Sequence, residues 1–153
     1  NLVEGKFRPS VALNLWIGFM RARTELNAVV HTHSPYATAF SVVYQPIPVI
    51  TETMADWFGQ PVQVTRYLSV EDPEFPTLPV EVMGDGYAVL LGNHGPITVG
   101  KTLEHALERA VTLEEAARTY SIARTIAAPF ALTEDQARAS FDYYHNRYGQ
   151  KKS

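Results

Sequence analysis

The amino-acid sequence of 153 residues contains no cysteine. Disulfides, thiol catalysis and cysteine-ligated zinc are therefore excluded, and any metal site must be built from histidine, aspartate and glutamate. A chain without cysteine also fits a reducing compartment, and we expect a cytoplasmic protein. Because the chain has only five histidines, their positions determine what kind of metal site it could form.

Basic charge and long apolar runs are scarce as well. The chain has 13 Lys and Arg against 16 Asp and Glu, so no basic excess exists for phosphate backbones and we expect no nucleic-acid partner. No apolar run approaches the roughly 18 residues of a membrane span, and we expect no membrane partner. Charged residues make up only 19% of the chain, which indicates that a partner subunit covers part of the surface.

The remaining composition is that of a folded domain. Hydrophobic residues make up 46% of the chain, and a domain of this length buries roughly two-thirds of its unfolded surface. We expect residues 1–150 to form one domain and residues 151–153 to form a polar tail. The segment that follows Asn1 is typical of the middle of a domain, so we also expect that an N-terminal portion is missing.

Helices and strands are predicted to alternate along the chain, as in an α/β layered domain. Apolar spacing predicts helices at 10–24, 35–43, 102–127 and from Thr133 onward. Strands are predicted at 27–31 and 62–70 and in a hairpin over 87–100. We interpret 49–51 as an edge strand at most, and 71–79 as an irregular loop.

Local signals refine the predicted helices. Ser10 and Thr102 are predicted N-caps, and Thr133 with Gln136 has the spacing of a capping box. In the long helix, a predicted i,i+4 ion pair joins Glu114 to Arg118. The buried face of the long helix is predicted to contain Leu103, Ala106, Leu107, Ala110, Val111, Ala117 and Tyr120.

Three of the five histidines are predicted to stand at strand ends. His31 and His33 project from the same face, because side chains alternate along a strand; they could share a metal ion or simply hydrogen-bond to polar groups. His94 lies in the hairpin turn and could be a third ligand or bind a backbone carbonyl. Three neutral imidazoles would leave an open coordination position, as in catalytic zinc sites. We expect His105 to be solvated, and His145 lies in a terminal aromatic run.

The residues around these histidines resemble a known family. His31-Thr32-His33-Ser34, preceded by NAVV, is similar to the HTHS signature of class II aldolase/adducin proteins. Asn93-His94-Gly95 and the following ITVGKTLEHALERAVTLEEAARTY resemble the family's third-histidine segment and its next helix. The L-ribulose-5-phosphate 4-epimerase branch is favoured by Ala55-Asp56 before Trp57-Phe58, by Gly100-Lys101, by LEEAA and by Tyr148-Gly149-Gln150.

The resemblance implies a three-layer α/β fold whose central sheet is mostly antiparallel, assembled as a homotetramer with active sites at subunit interfaces. It implies a divalent metal, Zn²⁺ first and Mn²⁺ or Co²⁺ as alternatives, on His31, His33 and His94. The implied activity is that of a lyase or epimerase acting on a small hydroxyketone, a sugar phosphate. The metal acts as a Lewis acid on the enediolate that forms when the adjacent C–C bond breaks.

Three further residues acquire roles by matching position. Asp56 matches the epimerase's acid/base carboxylate and Tyr148 its C-terminal tyrosine, and in that family both reach the active site from a neighbouring subunit. Apolar neighbours such as Trp57 raise a carboxyl pKa toward the range useful for proton transfer. Without the resemblance, Asp56 would be interpreted as a surface carboxylate and Tyr148 as an aromatic packing residue. Ser10 matches a phosphate-contacting serine, which is compatible with its predicted N-cap role.

At two places the sequence departs from the family pattern. The acidic residue expected two positions after Ser10 is Ala12, the second serine is Val11, and a family histidine is replaced by Trp16. The Gly-Asn segment and the Ser-Gly loop that bind the substrate phosphate in the family do not occur. Alanine can neither bind a metal nor transfer a proton, so the departures put the usual aldolase chemistry in question.

Three explanations of these departures compete. The protein could be a metal-dependent decarboxylase of a β-keto acid, in which Glu52 replaces the lost carboxylate. It could be a catalytically silent, adducin-like interaction protein. It could also be a truncated or divergent homologue with little activity.

Overall fold

The computed structural model describes residues 4–149, so the expected domain limits at 1 and 150 and the tail at 151–153 lie outside the described residues. Helices and strands alternate along most of this range. In chain order they are α1 (Leu13–Ala22), β1 (Ala28–His31), α2 (Pro35–Val42), α3 (Glu52–Phe58), β2 (Gln63–Val64), α4 (Leu78–Met83), β3 (Ala88–Leu91), β4 (Gly95–Gly100), α5 (Leu103–Ile126) and α6 (Glu134–Asn146).

The four strands form one sheet in the order β1-β4-β3-β2. β4 pairs antiparallel with both β1 and β3, while the short β2 pairs parallel with β3. In this register His31 lies opposite Ile97 on β4, and Leu91 lies opposite Gly95. The end of β1 and the turn between β3 and β4 therefore meet at one edge of the sheet. The predicted mostly antiparallel sheet is confirmed.

The sheet separates two hydrophobic cores, because successive strand residues point to opposite faces. On β3, Ala88 and Leu90 pack into a core shared with α2, α3, α5 and α6. Val89 and Leu91 pack into a second core shared with α1 and α4. Helices cover both faces of the sheet, which confirms the predicted three-layer α/β architecture.

The long helix α5 buries a different face from the predicted one. Ala106, Ala110 and Ala117 are buried as expected, but Leu103, Leu107 and Val111 are exposed. The buried side also contains Arg109, Thr112, Leu113 and Ala116. Small side chains let α5 approach the sheet closely, whereas the three exposed apolar residues, spaced four apart, form a separate stripe on the helix. That part of the prediction was wrong.

The start of α1 also differs from the prediction. The helix begins at Leu13 with Ala12 as N-cap, and no side chain caps it. Ser10 lies two residues earlier, where its Oγ accepts a hydrogen bond from the backbone N–H of Ala12 at 3.2 Å. Ser10 therefore stabilises the turn that precedes α1 and does not cap the first turn of the helix.

The remaining differences concern residues 49–51, the strand predicted at 62–70 and two short helices. Residues 49–51 form no strand, and only Gln63–Val64 of the predicted strand at 62–70 forms one; beside it Ile47 makes an isolated bridge to Val62. Two short helices, α3 and α4, were not predicted, since six or seven residues show little periodicity. α4 begins inside the predicted loop at 71–79.

The other helix predictions are confirmed. Thr102 caps α5 by accepting a hydrogen bond from His105 N, and Thr133 with Gln136 forms a complete capping box at α6. Within residues 4–149, no helix combines the length and the apolar character needed to cross a lipid bilayer.

Loss of the capping box should destabilise the domain measurably. Thr133→Ala removes the side-chain acceptor for Gln136 N, so we expect the free energy of unfolding to fall by about 1 kcal/mol. Urea denaturation followed by circular dichroism measures the change. Thr125→Ala is the matched control, because Thr125 lies on an exposed part of α5 and caps no helix; an equal loss in both variants would contradict the assignment.

Candidate metal centre and surrounding residues

Three histidine side chains converge at the edge of the sheet where β1 ends and β4 begins. The Nε2 atom of His31 lies 3.0 Å from Nε2 of His33 and 3.3 Å from Nε2 of His94. Possible ligand atoms of the three residues lie within 4.8 Å of one another. The structure thus brings together all three histidines for which the sequence predicts a shared metal. Below we call them the His triad.

A backbone hydrogen bond fixes the orientation of His31. Its Nδ1 lies 3.0 Å from the carbonyl oxygen of Pro96 on the neighbouring strand. An imidazole that donates from Nδ1 to a carbonyl carries its lone pair on Nε2, the atom that faces the other two rings. This arrangement of donors fits a divalent ion such as Zn²⁺, which neutral imidazoles bind well.

The turn that carries His94 is held by Ser41 of α2 and by Tyr44, which lies two residues after the end of α2. The N–H of Asn93 donates to the carbonyl of Ser41 at 3.2 Å, and the hydroxyl of Tyr44 donates to the side-chain oxygen of Asn93. Asn93 has a φ of 57°, a left-handed conformation that asparagine tolerates better than most residues. These contacts place His94 beside His31 rather than leaving it on a free loop.

Close backbone approach explains the glycine after His94. A Cβ on Gly95 would lie 2.4 Å from the carbonyl oxygen of Thr32 and 3.2 Å from Cδ2 of His33. No side chain fits in that space without moving β4 away from the His31-Thr32-His33 segment. Gly95 therefore permits the approach that closes the His triad.

Glu114 on α5 holds the start of α2, directly after the His31-Thr32-His33-Ser34 segment. Its carboxylate accepts hydrogen bonds from the backbone N–H of Tyr36 at 2.9 Å and of Ala37 at 2.8 Å. A carboxylate is stabilising there because the N-terminal turn of a helix has free N–H groups and a positive dipole end. The predicted Glu114–Arg118 pair is wrong, because Glu114 binds α2 and Arg118 lies over the Tyr36 ring.

Burial keeps two members of the triad neutral. Desolvation lowers the pKa of His31, and the nearby rings of His94 and His33 lower it further, against the opposing effect of the Pro96 carbonyl. Burial also lowers the pKa of His94, with a smaller contribution from His33. The Trp16 ring, 6.0 Å from the His31 ring, forms part of the apolar surroundings. Neutral imidazole is the form that binds metal.

No carboxylate joins the triad among residues 4–149. Ala12, at the family's acidic position, is partly buried and packs with the core that contains α1, while Val11 is 82% exposed. Glu52, the candidate replacement, lies in the exposed first turn of α3. An ion on the triad would therefore have three protein ligands from this region and the rest of its coordination sphere open.

Asp56 is positioned on α3 and faces α6. Its Oδ1 accepts a hydrogen bond from the hydroxyl of Ser140 at 2.7 Å. The next residue, Trp57, is tied to the far end of β4, because Arg109 donates to the carbonyls of both Trp57 and Val99. Val99 lies four residues along β4 from Gly95, roughly 13 Å at strand spacing. Within one chain the structure does not bring Asp56 to the triad.

Tyr148 and Ser10 are likewise not members of the triad. Tyr148 is 68% exposed and its ring stacks on Tyr144 with centroids 5.3 Å apart. It follows the end of α6, the helix that packs against α3. Ser10 is exposed ahead of α1. Asp56 on α3 and Tyr148 just beyond the end of α6 therefore lie in the same region of the domain, because α3 and α6 pack together.

The sequence did not predict the roles of two residues that contribute to this architecture. Glu114 holds α2, and Arg109 links α3 to β4. Both lie near the apolar face of α5 by helical spacing. Glu114 follows Ala110 by four residues, and Arg109 precedes Leu113 by four residues. A charged residue on an otherwise apolar helix face is uncommon unless it has a specific partner, and this was the available signal.

The fold agrees with comparisons to known proteins. Residues 1–121 match the family model described as the class II aldolase and adducin N-terminal domain. The chain belongs to the class II aldolase and adducin family. This confirms the resemblance found around the histidines.

Relatives within the family include both aldolases and an epimerase. The chain is 32% identical over 135 residues to a 5-deoxy-D-ribulose 1-phosphate aldolase of Bacillus thuringiensis, covering 88% of this chain and 63% of the relative. It is 35% identical over 136 residues to an L-ribulose-5-phosphate 4-epimerase of Salmonella paratyphi B, covering 82% and 60%. The chain thus spans about three-fifths of the length of these curated relatives.

A solved structure has the same fold. An L-fuculose 1-phosphate aldolase superposes with a TM-score of 0.90 at 26% identity, covering 95% of this chain and 68% of that chain. The similarity extends over nearly the whole chain, so the arrangement of sheet and helices around the triad is that of a class II aldolase.

Removal of one triad histidine should abolish stable metal binding. We expect the protein to bind about one Zn²⁺ per chain. Loss of a residue that hydrogen-bonds to a metal ligand weakens metal binding by ~10–100-fold, and His31→Ala, which removes a ligand itself, should weaken it by more. Equilibrium dialysis with elemental analysis measures both quantities. His145→Ala is the matched control, because His145 lies on α6 and takes no part in the triad. Equal metal content in the two variants would contradict the site.

Proposed function

We propose that this protein is a divalent-metal-dependent lyase or epimerase that acts on a small hydroxyketone sugar phosphate. The convergence of three Nε2 atoms on the His triad carries the proposal. The family and the relatives' names, which include sugar-phosphate aldolases and an epimerase, support the reaction class. Zn²⁺ is the proposed ion, with Mn²⁺ and Co²⁺ as alternatives, since three imidazoles bind several divalent ions.

His31, His33 and His94 would hold the ion. When bound, a divalent ion supplies Lewis-acid polarisation of a carbonyl and an adjacent hydroxyl oxygen of the substrate. The protein's own contribution begins with His31, whose Nδ1–Pro96 hydrogen bond directs Nε2 into the site. Partial burial lowers the pKa of both His31 and His94, which favours the neutral imidazole that binds metal.

Asp56 and Tyr148 are the proposed proton-transfer groups. The Ser140 hydroxyl holds Asp56 through Oδ1, which leaves Oδ2 to take or give a proton. The phenol of Tyr148 lies at the surface and can donate to an oxygen of a bound substrate. Since both groups lie apart from the triad of their own chain, we propose that they complete the site of a neighbouring subunit in a homotetramer.

Ser10 is the proposed contact for the substrate phosphate. It lies on the exposed approach to α1, the helix that carries Trp16 beside His31. Its hydroxyl accepts from Ala12 N and retains its own proton to donate to a phosphate oxygen. Because Ala12 cannot transfer a proton, proton transfer is assigned to residues outside the triad. We also propose a cytoplasmic location, on the absence of cysteine.

Asp56 should control turnover. Metal-loaded protein is assayed with L-ribulose 5-phosphate, L-fuculose 1-phosphate and 5-deoxy-D-ribulose 1-phosphate, and NMR follows aldehyde release or epimer formation. We expect Asp56→Asn to lower kcat by about 10²–10⁴-fold while metal content is unchanged, because loss of a proton-transfer group has this effect. Asp85→Asn, at an exposed aspartate outside α3, is the control.

The same assay distinguishes the alternatives. Turnover of a β-keto acid without turnover of sugar phosphates would replace this proposal with the decarboxylase. A protein that binds metal but turns over none of these substrates would favour an interaction role.

A shared site predicts complementation between two inactive variants. His94→Ala keeps Asp56, and Asp56→Asn keeps the triad, so each alone should be nearly inactive. When equal amounts are unfolded together and refolded, about a quarter of the sites in a randomly mixed ring combine an intact triad with an intact neighbouring Asp56. We expect about that fraction of the original activity. Activity no higher than that of the separate variants would exclude a site shared between subunits.

The proposed assembly should be visible by mass. The chain has a mass of 17.1 kDa, and light scattering of a homotetramer should give four times that value. The exposed apolar residues of α5, Leu103, Leu107 and Val111, are available for such contacts. A monomeric mass across the concentration range would contradict the tetramer.

A further inference from the structure

A cavity of about 350 Å³ opens beside the first turns of α5, away from the His triad. Trp57, Tyr87, Lys101, His105 and Arg109 are among the residues that line it. Arg109 donates from Nη1 to the carbonyl of Val99 at 2.7 Å, which places the cavity at the far end of β4 from the triad. The cavity is therefore distinct from the His triad of the same chain, and because Trp57 and Tyr144 line it, it lies beside the proposed groups Asp56 and Tyr148. Phosphate binding in it can be tested without metal or turnover.

The wall of this cavity contains a buried cation without a counter-ion. Arg109 is only 4% exposed, and its hydrogen bonds from Nε and Nη1 go to two neutral carbonyls. Within residues 4–149, the ion pairs are formed by Arg23 and Arg66, and no carboxylate pairs with Arg109. A buried charge without a partner is costly, so such groups are generally found with a partner or a ligand.

The unused edge of the guanidinium is accessible from the cavity. No described residue accepts a hydrogen bond from Nη2 of Arg109. Nη2 is not fully buried, because Thr38 Oγ1 is the one fully buried side-chain polar atom without a hydrogen-bond partner in residues 4–149. Arg109 lines this cavity, which is large enough for a small ligand, so the unpaired Nη2 is the part of the guanidinium available to a ligand there.

The environment makes the guanidinium charge harder to maintain without an anion. Burial lowers the pKa of Arg109 to about 10; Tyr87 opposes the lowering, and the charge of Arg23 adds to it. The Tyr87 ring packs on the guanidinium with its centroid 3.7 Å from Cζ, and the Trp57 ring lies 5.7 Å away. These rings hold the cation in place by cation–π contact but do not neutralise it.

The other lining residues give the cavity a positive charge. Lys101 and Arg109 are cations and Glu108 is an anion, so two positive charges minus one negative charge leave one positive charge. The imidazole of His105, whose ring lies 6.1 Å from the Trp57 ring, adds a further polar group to the lining. Aromatic walls beside cations suit a ligand with an anionic group and a compact, partly apolar body.

We propose that this cavity binds a phosphate group, with the free edge of Arg109 and the ammonium of Lys101 as its donors. Guanidinium and ammonium groups are the usual partners of phosphate oxygens. The cavity is larger than a phosphate ion, and its aromatic walls can contact the body of a phosphate ester. Glu108, which also lines the cavity, would repel the phosphate or accept a hydrogen bond from a hydroxyl of the ester.

Calorimetric titration of the metal-free protein tests the site. Inorganic phosphate and D-ribose 5-phosphate are the probes, at constant ionic strength because screening weakens exposed charge interactions. We expect saturable binding of phosphate with a Kd of about 1 mM or tighter. A lower Kd for the ester identifies an ester site, and equal values identify a site for the phosphate group alone; both support the proposal.

Matched variants make the titration specific. Lys101→Gln should weaken phosphate binding by about fivefold or more, Glu108→Gln should strengthen it, and Lys6→Gln, at another exposed lysine, should leave it unchanged. Arg109→Gln should abolish binding. If Arg109→Gln does not fold, the comparison of Lys101→Gln with Lys6→Gln still decides the matter.

Two results would overturn the proposal. One is the absence of saturable heat with either probe. The other is equal affinity in Lys101→Gln and Lys6→Gln, which would indicate an adventitious ion only. The His94→Ala variant, which lacks a triad ligand, should bind phosphate as the unmodified protein does; loss of binding in that variant would assign the signal to the triad and refute a separate site.

Discussion

The hydrogen bond from His31 Nδ1 to the carbonyl of Pro96 connects the two strands on which the candidate metal centre depends. It forms because β1 and β4 pair antiparallel, which places His31 opposite Ile97 and next to the hairpin turn. The pairing brings the first two histidines to His94 across more than sixty residues of sequence, and the hydrogen bond then directs one lone pair of His31 into the gap. A shift of register by one residue would reverse the faces of the whole strand.

The chemistry-bearing groups are divided between two regions of the domain. The triad lies where β1 meets the hairpin turn, while Asp56, Tyr148 and the cationic cavity lie toward α3, α6 and the other end of β4. Arg109 links the second region internally by binding the backbones of α3 and β4 at once. In the proposed homotetramer, contact between copies would bring these two sets of groups together.

The sequence was most informative where chemistry and periodicity coincide. Histidines at strand ends, the β-hairpin and the capped helices α5 and α6 could all be predicted, because each depends on local backbone preference or strict spacing. The exposure of Leu103, Leu107 and Val111 could not, since an apolar residue looks the same whether it faces its own core or another molecule. Nor could the partner of Glu114, because Arg118 was the nearer opposite charge and only tertiary packing brings α2 closer.

The carboxylate of Glu114 also makes two amides informative about motion. In most helices the first N–H groups face water and exchange their hydrogens rapidly, because no carbonyl precedes them. Here the amides of Tyr36 and Ala37 point at a side chain from α5, so their exchange requires α2 and α5 to separate. The exchange rate of those two amides therefore reports how often the segment that follows the histidines detaches from the long helix, a local opening distinct from global unfolding.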